Sequence, residues 1–423
     1  MNEPILTRRF HLPNSHTIKV YEETGGYQAV RKALRDMTPA QVVEDVKKSG
    51  LRGRGGAGFP AGMKWGFVPK NTGKPVYLCV NADESEPGTF KDRHLLEKDP
   101  HLVIEGAMIA AYAIESHQAY IYIRGEYIPQ AKILGDAIRE AYERGYLGRN
   151  IFNLGYDLEL SLYRGAGAYI CGEETGLLES LEGKKGYPRL KPPFPAAVGL
   201  HNCPTIINNV ETLANVPAII ANGGVWYAGL GTPKDPGTRL FGVSGHVCKP
   251  GLFERPIGYP LKKLIFEDAG GILDGLNLKA VIPGGSSVPV LRADEIDIPL
   301  DSESLAAAGS MLGSAGVIVM HEKTCMVRAL QRLAHFYWEE SCGQCSPCRE
   351  GTGWLLKILN RILADQGRSE DVAVLPDVAD GIMGNTICPL GDAAAMPVLS
   401  FVRKFKEEFI YHIEHRRCDV DGR

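Results

Sequence analysis

Three cysteines stand at Cys342, Cys345 and Cys348, and a fourth, Cys388, is followed directly by Pro389. Thiolates are soft metal ligands, and a C-x-x-C-x-x-C run gathers three of them on one short turn. That spacing lets three sulfurs face three corners of a cubane, while a distant Cys, often followed by Pro, takes the fourth; Cys388 fits that role. A structural zinc site more often pairs two short C-x-x-C knuckles, and the sequence has no second pair. A [4Fe–4S] cluster is therefore the favoured reading, ahead of zinc and of unligated thiols. The remaining cysteines (79, 171, 203, 248, 325 and 418) have no ligand spacing and read as small buried hydrophobes, with Cys171 set apart only by its place beside a glycine turn. The 11 histidines show no metal-ligand spacing either.

A second constellation runs from Arg164 to Pro195. Alternation from Tyr156 to Tyr163 predicts a half-buried strand. Gly165, Gly167 and Gly172 follow, then Glu173 and Glu174, then Leu177, Leu178 and Leu181 at helical spacing up to Gly183. This is a strand, a glycine-rich turn and a helix. Glycines let a flat ligand lie against the backbone without meeting a Cβ. The two carboxylates sit where a helix dipole favours them, or where they could accept hydrogen bonds from a ligand. A stiff exit with Pro188, Pro192, Pro193 and Pro195 carries Lys191 and Phe194.

Upstream, Gly53, Gly55 and Gly58 spell G-x-G-x-x-G, with Gly56 between them. The dinucleotide fingerprint of that form follows a strand, whereas a charged helix precedes it here. Bare backbone N–H groups beside Arg52, Arg54 and Lys64 still make an anion nest, and Phe59 and Phe67 offer aromatic faces to a base. A flexible surface loop is the plainer alternative. The apolar strand Val76–Val80 leads into Asn81, Asp83, Glu84 and Glu86, polar groups where open α/β sheets hold ligands; a solvated turn is the alternative. Asn208 and Asn209 open a stretch, Thr205–Ala214, that reads as a helix, and are either ordinary caps or ligand donors.

The elements that must position these groups are legible in outline. Residues 1 to 38 read as an extended arm ending in a helix near Tyr27–Met37. Thr38-Pro39 starts a helix to Ser49. Strands at 76–80, 118–124 and 156–163 alternate with helices at 100–116 and 128–144, which argues for a largely parallel sheet. After a linker at 234–237 come short strand-like pieces (239–245, 279–283, 316–320) and one helix, Pro260–Ala269. From Glu322 the pattern is helical, over 325–338, 354–363 and 393–413. The boundaries are therefore 1–237, 238–321 and 322–423.

With 423 residues, two or three domains are expected. A net charge of −3 gives no nucleic-acid footprint. No apolar run reaches the roughly 18 residues of a membrane span, and the first residues lack the apolar core of a secretory signal. Few cysteines for the length favour a reducing compartment. No Ser/His/Asp or Cys/His arrangement suggests a catalytic acid, base or nucleophile.

Taken together, Arg52–Trp65, Asn81–Arg93, Arg164–Pro195, Asn208–Glu211 and the four cysteines, in that order, resemble the NADH- and FMN-binding subunit of respiratory complex I, NADH:quinone oxidoreductase. The resemblance covers nearly the whole chain. It implies a multidomain fold: a Rossmann-like α/β domain for FMN and NADH, a ubiquitin-like β-grasp module of α+β class, and a C-terminal all-α bundle bearing a [4Fe–4S] cluster on Cys342, Cys345, Cys348 and Cys388. It implies that FMN meets Gly53, Arg54, Gly55, Lys64, Asn81, Asp83, Gly172, Glu173, Asn208 and Asn209. NADH would meet Gly56, Gly58, Phe59, Phe67, Glu84, Glu86, Glu174 and Phe194, with Glu86 repelling the 2′-phosphate of NADPH. NADH would give a hydride to FMN, and single electrons would pass to the cluster and onward within a translocating complex. The implied partners are a small subunit with a [2Fe–2S] cluster and the large iron–sulfur subunit, in a hetero-oligomer on the cytoplasmic side of the inner membrane, without direct membrane insertion. The diaphorase subunit of an NAD-linked hydrogenase or formate dehydrogenase is the alternative. One departure is Gly176, where relatives tend to have Ala; a helix-interior Gly costs on the order of 1 kcal/mol.

Overall fold

A computed structural model describes residues 4–420. The outermost three residues of the expected first and third domains lie outside them. Four strands form the first sheet: β1 (Tyr77–Ala82), β2 (Gln118–Ile123), β3 (Glu159–Arg164) and β4 (Thr205–Asn209). Their order is β3-β2-β1-β4, and every pairing is parallel. Parallel strands require crossovers long enough for helices, and they read as apolar runs because helices cover them. In β1, Leu78, Cys79, Val80 and Ala82 are all buried. The register sets Asn81, near the end of β1, level with Asn209 of β4 and Tyr122 of β2.

The helix expected from Thr205 begins only at Val210. Thr205–Asn209 is instead an edge strand, with Ile206 and Ile207 buried beside β1. β-branched residues fit a pleated, covered surface, and that outweighs the helical spacing. The helices of this domain include α1 (Pro39–Ser49), α2 (Lys91–Lys98), α3 (Pro100–Ala113), α4 (Ile128–Glu143), α5 (Glu174–Leu181) and α6 (Val210–Ala214). At the start of α1, Gln41 N–H donates to Thr38 Oγ1 (3.3 Å) and Thr38 N–H to Gln41 Oε1 (2.7 Å), a reciprocal cap. α3 is buried on nearly every face. Its Gly106 lies so close to α6 that a Cβ there would sit 2.1 Å from the Leu213 carbonyl oxygen.

The N-terminal arm is not extended. The helix expected near Tyr27–Met37 is present as Gln28–Asp36, and a further short helix at Ile18–Glu23 precedes it; both fold over α3. The buried Glu105 of α3 accepts from the N–H groups of Tyr27 (2.9 Å) and Val30 (3.0 Å) and from the Tyr21 hydroxyl.

The second module is a mixed sheet of β5 (Thr238–Gly245), β6 (Gly251–Pro256), β7 (Leu278–Ile282), β8 (Leu291–Arg292) and β9 (Gly316–His321), in the order β6-β5-β9-β7-β8. β5 and β9 pair in parallel and the other neighbours antiparallel. Phe241, Val243, Leu264, Val281 and Val317 make its core with the helical stretch 261–268. Glu254 of β6 accepts from the N–H groups of Ile5, Leu6 and Thr7, so the arm clips the second module to the first.

The third region holds α7 (Met326–Glu340), α8 (Ser346–Leu363), α9 (Asp371–Ile382), α10 (Leu390–Lys404) and α11 (Lys406–His415). α9 is absent from the sequence expectation, and the helix expected over 393–413 divides at Phe405. Among the described residues, no helix is long and apolar enough to cross a membrane.

Candidate functional site

The expected ligand residues collect at the carboxyl ends of the first sheet's strands, where open α/β sheets bind ligands. Asn81 ends β1, Gly165 follows β3, and Asn208 and Asn209 end β4. The Asn81 side chain donates to the Gly172 carbonyl oxygen (2.8 Å), joining the β1 end to the glycine turn after β3. Asn208 Oδ1 accepts from the buried Trp65 indole N–H (2.8 Å), and the Asn209 side chain caps α6 by accepting from Glu211 N–H (3.0 Å). Replacing Asn208 with Ala leaves that indole N–H unpaired in the core. A loss of about 1–3 kcal/mol in denaturant unfolding is expected, and an unchanged stability would show that the pair contributes nothing.

The glycine loop turns back on itself. Gly53 N–H donates to the Phe59 carbonyl oxygen (2.9 Å), and Arg52 Nε reaches the Gly58 carbonyl oxygen (2.8 Å). Gly56 and Gly58 hold φ of 127° and 67°, the left-handed region that glycine tolerates. A Cβ on Gly55 would lie 3.2 Å from Asn209 Cβ. The loop therefore closes down on the end of β4, and at Gly55 it leaves little room for a side chain.

Arg54 does not face this gap. Its side chain is fully buried, paired with Asp235 (3.5 Å) and donating to the Pro236 carbonyl oxygen (2.9 Å), and its own N–H donates to Thr212 Oγ1 (2.9 Å). A buried guanidinium needs such partners, so Arg54 frames the loop from behind rather than offering charge to a ligand. Glu84 departs from expectation in the same way. It is buried and accepts from the N–H groups of Asp92 (2.8 Å) and Arg93 (3.1 Å) at the start of α2, and from the Tyr127 hydroxyl (2.9 Å). Glu86 accepts from the Tyr169 hydroxyl (2.6 Å), Ser286 Oγ (3.1 Å) and Ser287 N–H (2.7 Å). Those three donors hold its carboxylate at the seam with the second module.

Glu173 and Glu174 are brought together with two lysines. Glu173 caps α5, accepting from Thr175 N–H (2.7 Å) and Gly176 N–H (2.9 Å). Lys191 reaches both carboxylates (2.8 and 3.2 Å), and Lys64 reaches Glu174 (3.0 Å). Burial opposes ionisation of Glu174, yet Lys64 and Lys191 hold it below the ordinary carboxylate range. Lys64 lies between Phe59 and Phe67 in sequence, and Lys191 shortly before Phe194. The lysine pair thus draws both aromatic segments to one carboxylate pair. Phe59, Phe67 and Phe194 are 45%, 56% and 59% exposed, and the first two rings lie 5.9 Å apart. Exposed rings at a cleft mouth are available for stacking.

Asp83 is turned into this end of the sheet, and burial raises it to about 7 from an ordinary 3.8. A carboxyl with a raised folded-state value stabilises the fold in its neutral form. That contribution is complete below about pH 4 and is lost as pH rises through about 7. The purified chain should lose stability across this window, and Asp83→Asn should flatten the profile; thermal unfolding against pH in both proteins checks it, and equal slopes would discard Asp83 as the source.

Sequence reading missed a buried ion network beside the site. Lys91 pairs with Asp92 (2.7 Å) and Glu211 (2.9 Å), and Asn209 donates to Asp92 (2.6 Å). The apolar company of Phe90, Leu95 and Leu96 was the available signal that α2 is a core helix. Arg124, after β2, was missed too. It donates to the Glu84 carbonyl oxygen (3.0 Å), and its Nε is buried without a hydrogen-bond partner among the described residues.

The four cysteines converge as expected. Cys345 stands at the N-terminal boundary of α8 and Cys348 lies in its first turn, while Cys388 stands just before α10. Helix N-termini favour thiolate. Cys342, Cys345, Cys348 and Cys388 share one apolar cluster with Ile170 and Cys171 of the glycine turn and Tyr337 of α7. Burial pushes Cys388 up to about 12 and raises Cys348, so without a cation both stay neutral thiols. Four thiolates around zinc lie about 3.8 Å apart. Among the described residues, no three of these thiols come within 4.8 Å of one another. A tetrahedral zinc would require them to draw closer together. The glycine turn leans on α7: Tyr169 N–H donates to Glu340 (2.9 Å), and the Tyr169 ring packs edge-on to Phe336 at 5.1 Å. The glycine cradle and the thiols are thus neighbours through a single loop.

Three family models match: a Nuo51 FMN-binding domain over residues 46–218, an SLBB domain over 239–319, and an NADH-ubiquinone oxidoreductase-F iron-sulfur binding region over 328–412. The chain is 55% identical over 418 residues to an F-type subunit of NADH-quinone oxidoreductase from Rhizobium meliloti, covering 99% of each chain. It is 52% identical to the F-type subunit of NADH-quinone oxidoreductase from Mycobacterium tuberculosis, over 99% of this chain and 96% of that one. Among solved structures it is similar to an NAD+-reducing [NiFe]-hydrogenase in the air-oxidized state, with a TM-score of 0.83 and 36% identity over 97% of this chain and 67% of that one.

Proposed function

The chain belongs to the family of F-type NADH-quinone oxidoreductase subunits, and from that premise we propose that it is the electron-input subunit of such an enzyme, oxidising NADH with FMN and a [4Fe–4S] cluster. The observation that carries the reading is the shared packing of the glycine turn and the four cluster thiols. Relatives of this kind match at over half identity along nearly both lengths, whereas the hydrogenase likeness is weaker in sequence, so the diaphorase alternative is not favoured.

When bound, FMN would supply hydride-accepting and single-electron chemistry, and the cluster one-electron chemistry. The residues present fit both groups: glycines at 55 and 172 let backbone approach closely at the strand ends, and four thiols gather in one cluster. Gly53, Gly55, Asn81, Asp83, Gly172, Asn208 and Asn209 line the flavin side. Lys64 holds the Glu173/Glu174 end in place rather than serving the flavin alone. Gly56, Gly58, Phe59, Phe67, Glu174 and Phe194 form the mouth that orients NADH. Cys342, Cys345, Cys348 and Cys388 hold the cluster. Arg54, Glu84 and Glu86 brace the frame. No side chain has to move a proton to the substrate; positioning and exclusion of water are the protein's contribution.

The domains divide at 237/238 and 321/322. The parallel β5/β9 pair inside a mixed sheet, with one helical stretch against it, supports a β-grasp module, and the five helices that follow support an all-α cluster domain. Membership in a multisubunit enzyme makes the chain part of a hetero-oligomer. Its direct partners are a small [2Fe–2S] subunit and the large iron–sulfur subunit, at the cytoplasmic face of the inner membrane, to which it is peripheral. Anaerobic NADH titration of the chain with its small partner tests the reading. Bleaching of a flavin band together with an EPR signal from a reduced cubane is expected; a folded preparation without flavin would overturn it.

A further inference from the structure

We propose that Cys325, His412 and Cys418 form a second metal site, for a divalent ion of the zinc class, separate from the four cluster thiols. The three come from different segments: Cys325 directly before α7, His412 in α11, and Cys418 in the tail beyond it. All three are buried, and their ligand atoms lie within 4.8 Å of one another. Cys325 Sγ is 3.2 Å from His412 Nε2. Two thiolates and an imidazole are a preferred zinc donor set, and ligand atoms on a tetrahedral zinc lie about 3.5–3.8 Å apart. The present spacing is close to that.

Backbone donors reach both sulfurs. Arg328 N–H donates to Cys325 Sγ (3.4 Å), and Val420 N–H donates to Cys418 Sγ (3.4 Å). Cys325 also caps α7, where the helix dipole favours negative charge. Metal binding releases one proton from each thiol and forms two metal–sulfur bonds and one metal–nitrogen bond. The double charge of the ion then cancels that of the two thiolates. A fourth position is left for water or for Asp419, whose Oδ1 lies 4.0 Å from Cys418 Sγ. Neither the flavin chemistry nor the cluster uses these residues.

The site would act as a clasp. It binds the end of α11 and the tail to the start of α7. On the same helix, Glu408 accepts from Met326 N–H (3.0 Å) and pairs with Lys279 of β7 (2.7 Å). The clasp thus sits where the helical region meets the second module.

The test is metal analysis of the complex purified with its partner subunits, with zinc X-ray absorption on the same sample. About one zinc per chain is expected in addition to cluster iron, with sulfur at about 2.3 Å and nitrogen at about 2.0–2.1 Å. Cys418→Ser and His412→Gln should each lose the zinc and keep the iron. Absence of a stoichiometric divalent metal, zinc retained in both variants, or a Cys325–Cys418 disulfide in the intact mass would each overturn the proposal. Should the variants fail to accumulate, the absorption spectrum of the unaltered complex decides: a zinc environment without sulfur rejects the site.

Discussion

Cys388→Ser is expected to strip the cluster from the chain while leaving the flavin in place. Cys388 is the thiol that arrives from a separate segment, just before α10, while the other three lie between the end of α7 and the first turn of α8. A hydroxyl is a poor partner for iron–sulfur chemistry, and three thiolates on one turn leave a corner of the cubane open. Iron should fall from about four per chain to below about one, and the EPR signal of the NADH-reduced cluster should vanish. The cradle residues on the first sheet do not depend on Cys388, so extractable flavin should persist, and so should NADH oxidation by a dye that draws electrons from the flavin. Four irons retained in the Ser variant would move the fourth ligand elsewhere.

The opposite pattern is expected of Gly55→Val. A Cβ at that position would already lie 3.2 Å from Asn209 Cβ, and two further methyl groups would crowd the end of β4 that the loop covers. Valine at a crowded backbone position cannot yield as a long flexible side chain can. The chain should keep its iron and lose its flavin, with at least about a tenfold fall in flavin per chain, a difference of about 1.4 kcal/mol in binding. Acid extraction and fluorescence give the flavin content. Undiminished flavin in a folded Val variant would show that the ring does not lie under this loop. The two variants together separate the cofactor sites by losing one group each.

Much of this was legible in the sequence because some residues admit few uses. The glycines at 53–58 and at 172 stand where a backbone must turn or leave room, and the structure puts them at the strand ends. Cys342, Cys345 and Cys348 announce themselves by spacing. Orientation was not legible. Arg54 follows a glycine and precedes one, so by sequence it belongs to the nest. Only the arrival of Asp235 and Pro236 from far down the chain shows that it turns inward. Glu84 has the position of a ligand group after a strand, but its carboxylate meets the start of α2. Local sequence cannot tell a ligand acid from a capping acid, since both sit after a strand and before a helix. Thr205–Asn209 has helical spacing and becomes a strand because β1 has an open edge. Cys325 and Cys418 look inert because their histidine lies on another helix; His412 and Cys418, close in sequence at the chain's end, were the one available hint.

The pairing of β1 also sets an order of events. Tyr77 finds β2 soon after it is made, but it must wait for Thr205 to close the sheet on its other side. The helices α7 to α10 pack largely on neighbours that follow one another along the chain. Contacts between distant segments form late because closing long loops is entropically unfavourable, while local helical contacts form early. In a chain made from its N-terminus, however, all four strands of the first sheet precede Cys342 in sequence, so the pieces of the flavin cradle are present before any cluster thiol. Assembly thus sets two clocks against each other: the sheet is synthesised first, while the helical region, once made, closes over shorter loops.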